Sequence, residues 1–135
     1  MSPPSAGLLD TSVFIARESG RSLGELPDRV ALSVVTIGEL QLAVLSASDP
    51  TMRALRGDTL ALARGAEPLP LTEAVMVSWA HLVHACRASG VHRMVKLTDS
   101  LIAATAVEHG LPVVTQDDAF DRMAQVHSRL EVVKV

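Results

Sequence analysis

Four acidic side chains stand directly beside apolar runs instead of on polar faces: Asp10, Glu39, Asp99 and Asp117. If the fold brings them together, they cannot all stay ionised unless a cation offsets their charge. The set offers oxygen ligands only, with no thiolate or paired histidine. Such a set selects Mg²⁺, with Mn²⁺ as the alternative, over zinc. The chemistry that these residues indicate is that of a hard divalent cation.

Each of these acids has a simpler explanation when it is taken alone. Asp10, or the hydroxyls beside it, could cap the helix that follows. The spacing Thr36-x-x-Glu39 is that of a capping box. Asp99 and Asp117 could each be helix N-caps as well. Capping is the more common role for any single acid, but four acids at the same rim of a sheet favour a common site.

The pattern of the chain predicts a fold with such a rim, because short apolar runs alternate with helical segments. We predict strands at residues 7–9, 30–35, 68–71, 112–115 and 130–135, and helices at 36–46, 51–64, 72–89, 98–109 and 120–126. This alternation is typical of an α/β fold with a mostly parallel central sheet of about four to five strands, flanked by helices. Ligands of such sheets bind beyond the carboxyl ends of the strands, where the four acids are expected.

Composition narrows the class of protein. The chain has 135 residues, 48% of them hydrophobic, which fits one domain over residues 1–135 with a real core. Its aromatic residues, one Trp and two Phe, are too few for a platform that stacks bases, and its net charge of −3 does not favour a phosphate-rich partner. The single cysteine, Cys86, excludes an internal disulfide and is expected in the core.

We find no signal-peptide pattern and no stretch long enough to span a membrane, so we expect a cytoplasmic protein without a membrane partner.

The segments around the four acids resemble the ordered motifs of the PIN domain, and the short chain resembles the VapC-type toxin ribonucleases of bacterial toxin–antitoxin pairs. The matching segments are Asp10-Thr11-Ser12, Glu39-Leu40, Thr98 to Ala106, and Val114-Thr115-x-Asp117-x-x-Phe120. The most distinctive of them is the one that begins Thr98-Asp99. One departure concerns a further acid that many relatives carry two residues after Asp117. This chain has Ala119 there, and Asp118 is the candidate to replace that acid.

The resemblance implies a PIN-like three-layer sandwich, a metal-dependent endoribonuclease, a homodimer, and a cognate antitoxin that blocks the acidic pocket. The substrate would be tRNA, rRNA or mRNA, cut by a metal-activated water. In this hypothesis Asp10 and Asp99 hold the cation directly, while Glu39 and Asp117 complete its shell directly or through water. The supporting residues would be Thr11, Ser12, Thr115 and Asp118; the hydroxyls of Ser12 and Thr115 could orient the carboxylates or the attacking water.

Basic residues precede Asp99, and no acid lies between Glu73 and Asp99. We interpret Arg87, Arg93 and Lys96 as candidate RNA phosphate contacts. A solvated helix end and loop explains the same residues equally well.

Other functions fit the sequence less well. A non-catalytic PIN-like module that binds RNA or protein is the main alternative, although all four motif acids are present. A dehalogenase-type phosphatase would need a second Asp where Ser12 stands, and a dinucleotide-binding fold would need a Gly-x-Gly-x-x-Gly motif that does not occur.

The predicted helix at 36–46 carries two apolar stripes. One contains Ile37, Leu40 and Val44, and the other Leu42 and Leu45. We expect one stripe to face the core and the other a partner subunit or antitoxin.

Overall fold

The computed structural model describes residues 3–135, so Met1 and Ser2 of the predicted domain lie outside the described residues. The strands are β1 (Ala6–Leu9), β2 (Arg29–Ala31), β3 (Val113–Thr115) and β4 (Val132–Lys134). The helices are α1 (Thr11–Glu18), α2 (Val34–Leu45), α3 (Pro50–Arg64), α4 (Glu73–Ala88), α5 (Leu97–Glu108) and α6 (Asp121–Val126), with a 3₁₀ turn at His92–Met94.

The strands form one parallel sheet in the order β2-β1-β3-β4. Leu8 of β1 pairs with Val113 of β3, and Leu9 pairs with Val114. Because every pair is parallel, the carboxyl ends of the strands share one edge. The predicted α/β class and parallel sheet are confirmed.

Alternate side chains of the two central strands enter cores on opposite faces of the sheet, as the period of two requires. Leu8 and Val113 belong to a core with side chains of α4, α5 and α6. Leu9 and Val114 belong to a second core with side chains of α1, α2 and α3. Helices on both faces make the predicted three layers, and Cys86 is buried in the first core as expected.

The predicted strand 30–35 is wrong in its second half. β2 ends at Ala31 and α2 begins at Val34, with Ser33 as its N-cap; the Ser33 hydroxyl accepts from the Val35 amide at 3.1 Å. Thr36 therefore lies inside the helix, and the capping-box interpretation of Glu39 is wrong. The β-branched Val34 and Val35 favour a strand locally, but the Ser33 cap starts the helix there.

The predicted strand 68–71 reduces to a single bridge between Leu69 and Ser33. Pro68 and Pro70 flank Leu69 and have no amide to donate, so a regular ladder cannot extend. The other predicted elements are present, with ends shifted by a few residues.

Gly7 allows the two central strands to pack closely. A Cβ at this position would lie 2.6 Å from Cγ2 of Val114 and 3.0 Å from Cγ of Pro27. Any larger residue would displace the buried Val114 side chain, so the packing beside β1 depends on this glycine.

In the described part of the chain, no helix is both long and apolar enough to cross a lipid bilayer.

Candidate active site

The four acids identified from the sequence line one cavity of about 340 Å³ at the carboxyl edge of the sheet. The other residues that line it are Thr11, Ser12, Ile15, Arg21, Met94, Lys96 and Ala119. The structure thus brings together Asp10, Glu39, Asp99 and Asp117, which lie far apart in the sequence.

Asp10 directly follows β1 and occupies the N-cap position of α1, but its side chain makes no capping hydrogen bond. Its carboxylate instead accepts from Ser12 Oγ at 2.6 Å on one oxygen and from Thr115 Oγ1 at 3.1 Å on the other. The side chain is buried, with 3% of the residue exposed. Asp10 thus holds the expected N-cap position, but its side chain does not cap the helix; two hydroxyls hold the carboxylate, which lines the cavity.

Burial raises the pKa of Asp10 to about 6, because a buried carboxylate loses its hydration. The hydrogen bonds from Ser12 and Thr115 oppose this shift, since they stabilise the ionised form. The charges of Asp117 and Asp99 add to it. An elevated pKa caused by burial and by neighbouring acids is typical of a functional site.

Glu39 lies in α2 and is held by α1. Thr11 Oγ1 donates to Glu39 Oε1 at 2.6 Å, and the same hydroxyl lies 3.1 Å from Oγ1 of the buried Thr36. This contact across the two helices fixes the direction of the Glu39 carboxylate.

Asp99 is the third residue of α5, whose N-cap is Lys96. Burial raises the pKa of Asp99, and the charges of Glu39 and Asp117 raise it further, whereas Lys96 lowers it. The N-cap interpretation of Asp99 is wrong, since Lys96 holds that position. The influence of Glu39 and Asp117 on Asp99 shows that the acids share one electrostatic environment.

Asp117 is exposed and follows β3 in a turn. Its backbone amide donates to Thr115 Oγ1 at 2.9 Å, which links this turn to the hydroxyl that holds Asp10. The next helix, α6, has Phe120 as its N-cap, so Asp117 is not a helix cap.

The remaining predicted residues divide between the cavity and its surroundings. Lys96 lines the cavity, whereas Arg87 lines a neighbouring cavity between α4 and α5, and Arg93 is exposed on the 3₁₀ turn. Asp118 does not line the cavity and forms an ion pair with Lys134, although Ala119 beside it does line the cavity. The structure therefore gives no support to Asp118 as a substitute for an acid at Ala119.

Arg21 was not predicted from the sequence as a site residue, and it lines the cavity from the loop after α1. Its only signal in the sequence is the preceding Gly20, which adopts a positive φ of 73° and turns the chain back after the helix. A helix stop does not tell which way the next side chain points, so this position required the structure.

Trp79 of α4 was also missed as a support of the site. Its indole Nε1 donates to Ser100 Oγ at 2.9 Å, and the Ser100 hydroxyl donates to the Leu97 carbonyl at 2.7 Å. Both contacts fall in the first turn of α5, which has no side-chain cap at Lys96. They hold the turn that carries Asp99.

The residues fit a divalent cation in their chemistry. All four acids offer oxygen atoms as ligands. Their negative charges repel one another, and a bound cation would offset this repulsion. Among residues 3–135, no three Asp, Glu, His or Cys side chains stand close enough to hold a metal as they are placed. Asp99 and Asp117 make no side-chain hydrogen bond to another described residue, so they can rotate toward a cation.

Comparison with known proteins identifies the family. A family model described as PIN domain matches residues 7–126. Ribonuclease VapC8 of Mycobacterium tuberculosis is 68% identical over 100 residues, which are 74% of this chain and 89% of that protein. Ribonuclease VapC5 of the same organism is 46% identical over 134 residues, covering 98% of this chain and 97% of the relative.

Comparison of the fold with solved structures identifies the same family. A crystal structure of VapBC-5 from Mycobacterium tuberculosis, a member of the VapBC family of toxin–antitoxin systems, contains a chain that superposes with a TM-score of 0.88. That chain is 41% identical to this one, and the match covers 98% of this chain and all of the other. The chain described here therefore belongs to the PIN domain family, and within it to the VapC group.

Proposed function

We propose that this protein is an endoribonuclease toxin of the VapBC type, which uses Mg²⁺ to hydrolyse phosphodiester bonds of cytoplasmic RNA and is neutralised by a cognate antitoxin. The observation that carries the proposal is the cavity where Asp10, Glu39, Asp99 and Asp117 converge. The names of the VapC relatives support the RNA substrate.

In this proposal Asp10 and Asp99 hold the cation directly, and Glu39 and Asp117 complete its shell directly or through water. Mg²⁺, when bound, supplies an activated water and neutralises the charge that develops on the phosphoryl group. Mn²⁺ could replace it, because the same hard oxygen ligands suit both ions.

The side chains around the acids prepare them for this role. Ser12 and Thr115 hold the carboxylate of Asp10, and Thr11 holds that of Glu39. The Asp10 carboxyl, with its pKa near 6, is mostly ionised at neutral pH and therefore ready to accept a cation. Lys96 supplies a positive charge at the cavity, which suits a phosphate of the substrate.

The partners are a cognate antitoxin and a second copy of the chain. The stripe of Ile37, Leu40 and Val44 packs in the core. This agrees with the prediction that one of the two apolar stripes of this helix faces the core. Leu42 and Leu45 are 62% and 70% exposed. We propose that a partner covers these two leucines, since exposed leucines on one helix face are typical of a contact surface.

The test of the nuclease is incubation with total RNA in Mg²⁺ or in EDTA, using the wild type, Asp99→Asn and the control Asp58→Asn. Asp58 is exposed on α3 and does not line the cavity. We expect cleavage by the wild type and by Asp58→Asn in Mg²⁺ only, and none by Asp99→Asn. Sequencing the new RNA ends would identify the substrate and the cleavage sequence.

The alternative is a non-catalytic PIN module that binds RNA or protein. It would bind RNA or the antitoxin without producing new RNA ends in either Mg²⁺ or Mn²⁺. That outcome would overturn the proposal of a nuclease while leaving the family assignment intact.

The partner surface has its own test. Leu45→Glu introduces a charge on the exposed face of α2 and leaves the core unchanged. Light scattering of the chain alone would show loss of a dimer if this face joins two copies, and titration with the antitoxin would show loss of binding if it receives that partner.

A further inference from the structure

Two cations line the acidic cavity, Lys96 and Arg21, and they differ in their surroundings. The charge of Lys96 acts on Asp99, whose pKa it lowers. Arg21 forms no ion pair with an acid anywhere in residues 3–135. Its guanidinium is thus a cation at an acidic cavity whose charge no described carboxylate neutralises.

The loop that carries Arg21 is anchored on both sides of this residue. The Arg21 amide donates to the Ala16 carbonyl at 2.9 Å, which closes the turn after α1 through Gly20. On the other side, Gln116 Nε2 donates to the carbonyl of Ser22 at 2.9 Å. The backbone of Arg21 is therefore held in place, which reduces the entropy lost when its side chain binds a ligand.

The anchor from Gln116 connects this loop to the centre of the site. The Gln116 backbone amide donates to Ser12 Oγ at 3.0 Å, and that hydroxyl donates to Asp10 at 2.6 Å. One residue thus links the Arg21 loop with the hydroxyl that fixes Asp10. The backbone position of the Arg21 loop relative to Asp10 is therefore set by contacts that also build the acidic cavity.

We propose that Arg21 is a substrate-binding residue that contacts a phosphate of single-stranded RNA beside the cleaved bond, and that Gln116 is the residue that positions its loop. This inference rests on the proposed function for its substrate class. A guanidinium can donate paired hydrogen bonds to two oxygens of a phosphate. Arg21 can form them because its guanidinium is not already paired with a carboxylate of the described chain. Arg21 makes this contact in the ground state and the transition state alike, so its loss raises KM and leaves kcat unchanged.

The first test measures binding without cleavage. A fluorescently labelled single-stranded RNA of mixed sequence is titrated in EDTA, over a series of KCl concentrations, with the wild type, Arg21→Gln and Arg17→Gln. Arg17 is the matched control, because it is exposed one turn earlier in α1 and does not line the cavity. Both residues are exposed, so neither substitution is expected to impair folding.

We expect Arg21→Gln to weaken RNA binding and to reduce the slope of log K against log salt by about 0.7, the value for one phosphate contact on a single strand. Arg17→Gln should keep the wild-type slope. Arg21→Lys should keep the slope but bind more weakly than the wild type, because an ammonium cannot form the paired contact. A wild-type slope in Arg21→Gln, or an equal loss in Arg17→Gln, would overturn the proposal.

The second test separates positioning from folding and from the nuclease itself. In Mg²⁺, Gln116→Ala should raise KM for RNA cleavage while kcat stays near that of the wild type. Because Gln116 Nε2 also donates to the Val135 carbonyl at 3.1 Å, thermal unfolding measures any loss of stability separately. A fall in kcat at constant KM would contradict the role of Gln116. If RNA is bound through Arg21 but never cut, the proposed nuclease fails and the Arg21 contact stands; if RNA is cut normally by Arg21→Gln, only the Arg21 proposal fails.

Discussion

The four acids of the cavity are held in two different ways. Two of them are held by hydroxyls: Asp10 accepts from Ser12 and Thr115, and Glu39 accepts from Thr11. The other two, Asp99 and Asp117, have no side-chain hydrogen bond within the described chain, and only the backbone of their turns is supported. We call the first pair the fixed side and the second pair the open side, by their hydrogen bonds and not by their place in the cavity.

Two of the carboxylates in the site therefore have a fixed direction, while the other two are free to rotate. Hydrogen bonds to the fixed carboxylates set their direction before any ligand arrives, as the supports of metal ligands do. The open carboxylates can adjust, which suits a small cation that demands near-octahedral ligands and keeps several waters. In the proposed metal site, the fixed side would define the position of the cation and the open side would complete its ligands.

The largest effect is expected on the fixed side, at Asp10. Asp10→Asn should reduce RNA cleavage in Mg²⁺ by more than about a hundredfold, because it removes a proposed ligand, whereas loss of a mere support costs about ten- to a hundredfold. A gel assay of initial rates would measure this. Asp118→Asn, which changes only the ion pair with Lys134, serves as the control and should cleave normally. Near-normal turnover by Asp10→Asn would contradict the assignment.

The same residue predicts how stability depends on pH. The pKa of Asp10 rises from 3.8 to about 6 on folding, so the folded chain holds this proton more tightly than the unfolded chain. The contribution of Asp10 is therefore most favourable below pH 4 and falls by about 3 kcal/mol as pH rises through 6. Urea unfolding in EDTA should show Asp10→Asn gaining stability relative to the wild type over this range. A difference that does not change with pH would disprove the burial argument.

A smaller effect is expected when a hydroxyl of the fixed side is removed without changing shape. Thr115→Val keeps the volume of this buried side chain and removes its hydrogen bonds with Asp10, with Ser12 and with the backbone amide of Asp117. We expect about a ten- to a hundredfold loss of Mg²⁺ affinity, measured by calorimetry. Thr51→Val, exposed on α3, should leave the affinity unchanged. Equal affinities in both variants would mean that the two sides do not differ as described.

The smallest effect is expected behind the open side, where Trp79 supports the turn that carries Asp99. Trp79→Phe removes the indole hydrogen bond to Ser100 and costs about 1 kcal/mol of stability. Thermal unfolding would measure this loss. Cleavage should fall only severalfold, because Asp99 itself remains. A loss of cleavage as large as that of Asp10→Asn would show that the open side is as strictly fixed as the other.

The sequence was sufficient for the parts of the molecule that depend on regular patterns. Apolar periodicity predicted the alternation of strands and helices, and the rule for parallel sheets placed Asp10 and Asp117 at one edge. The start of α2 was wrong, since Val34 and Val35 favour a strand and only the Ser33 cap shows otherwise. The contact of Thr11 with Glu39 could not be predicted, because it depends on how two helices pack.

The strand order also affects how the protein is made. β1 is synthesised first, but its central neighbour β3 comes near the end, so that Thr115 and Asp10 meet across 105 positions of sequence. Contacts between such distant segments form late in folding. While the chain is still emerging from the ribosome, Asp10 has neither Thr115 nor Asp117 beside it. If the proposed nuclease is correct, its site would stay incomplete during translation until the segment that contains Thr115 and Asp117 has left the ribosome.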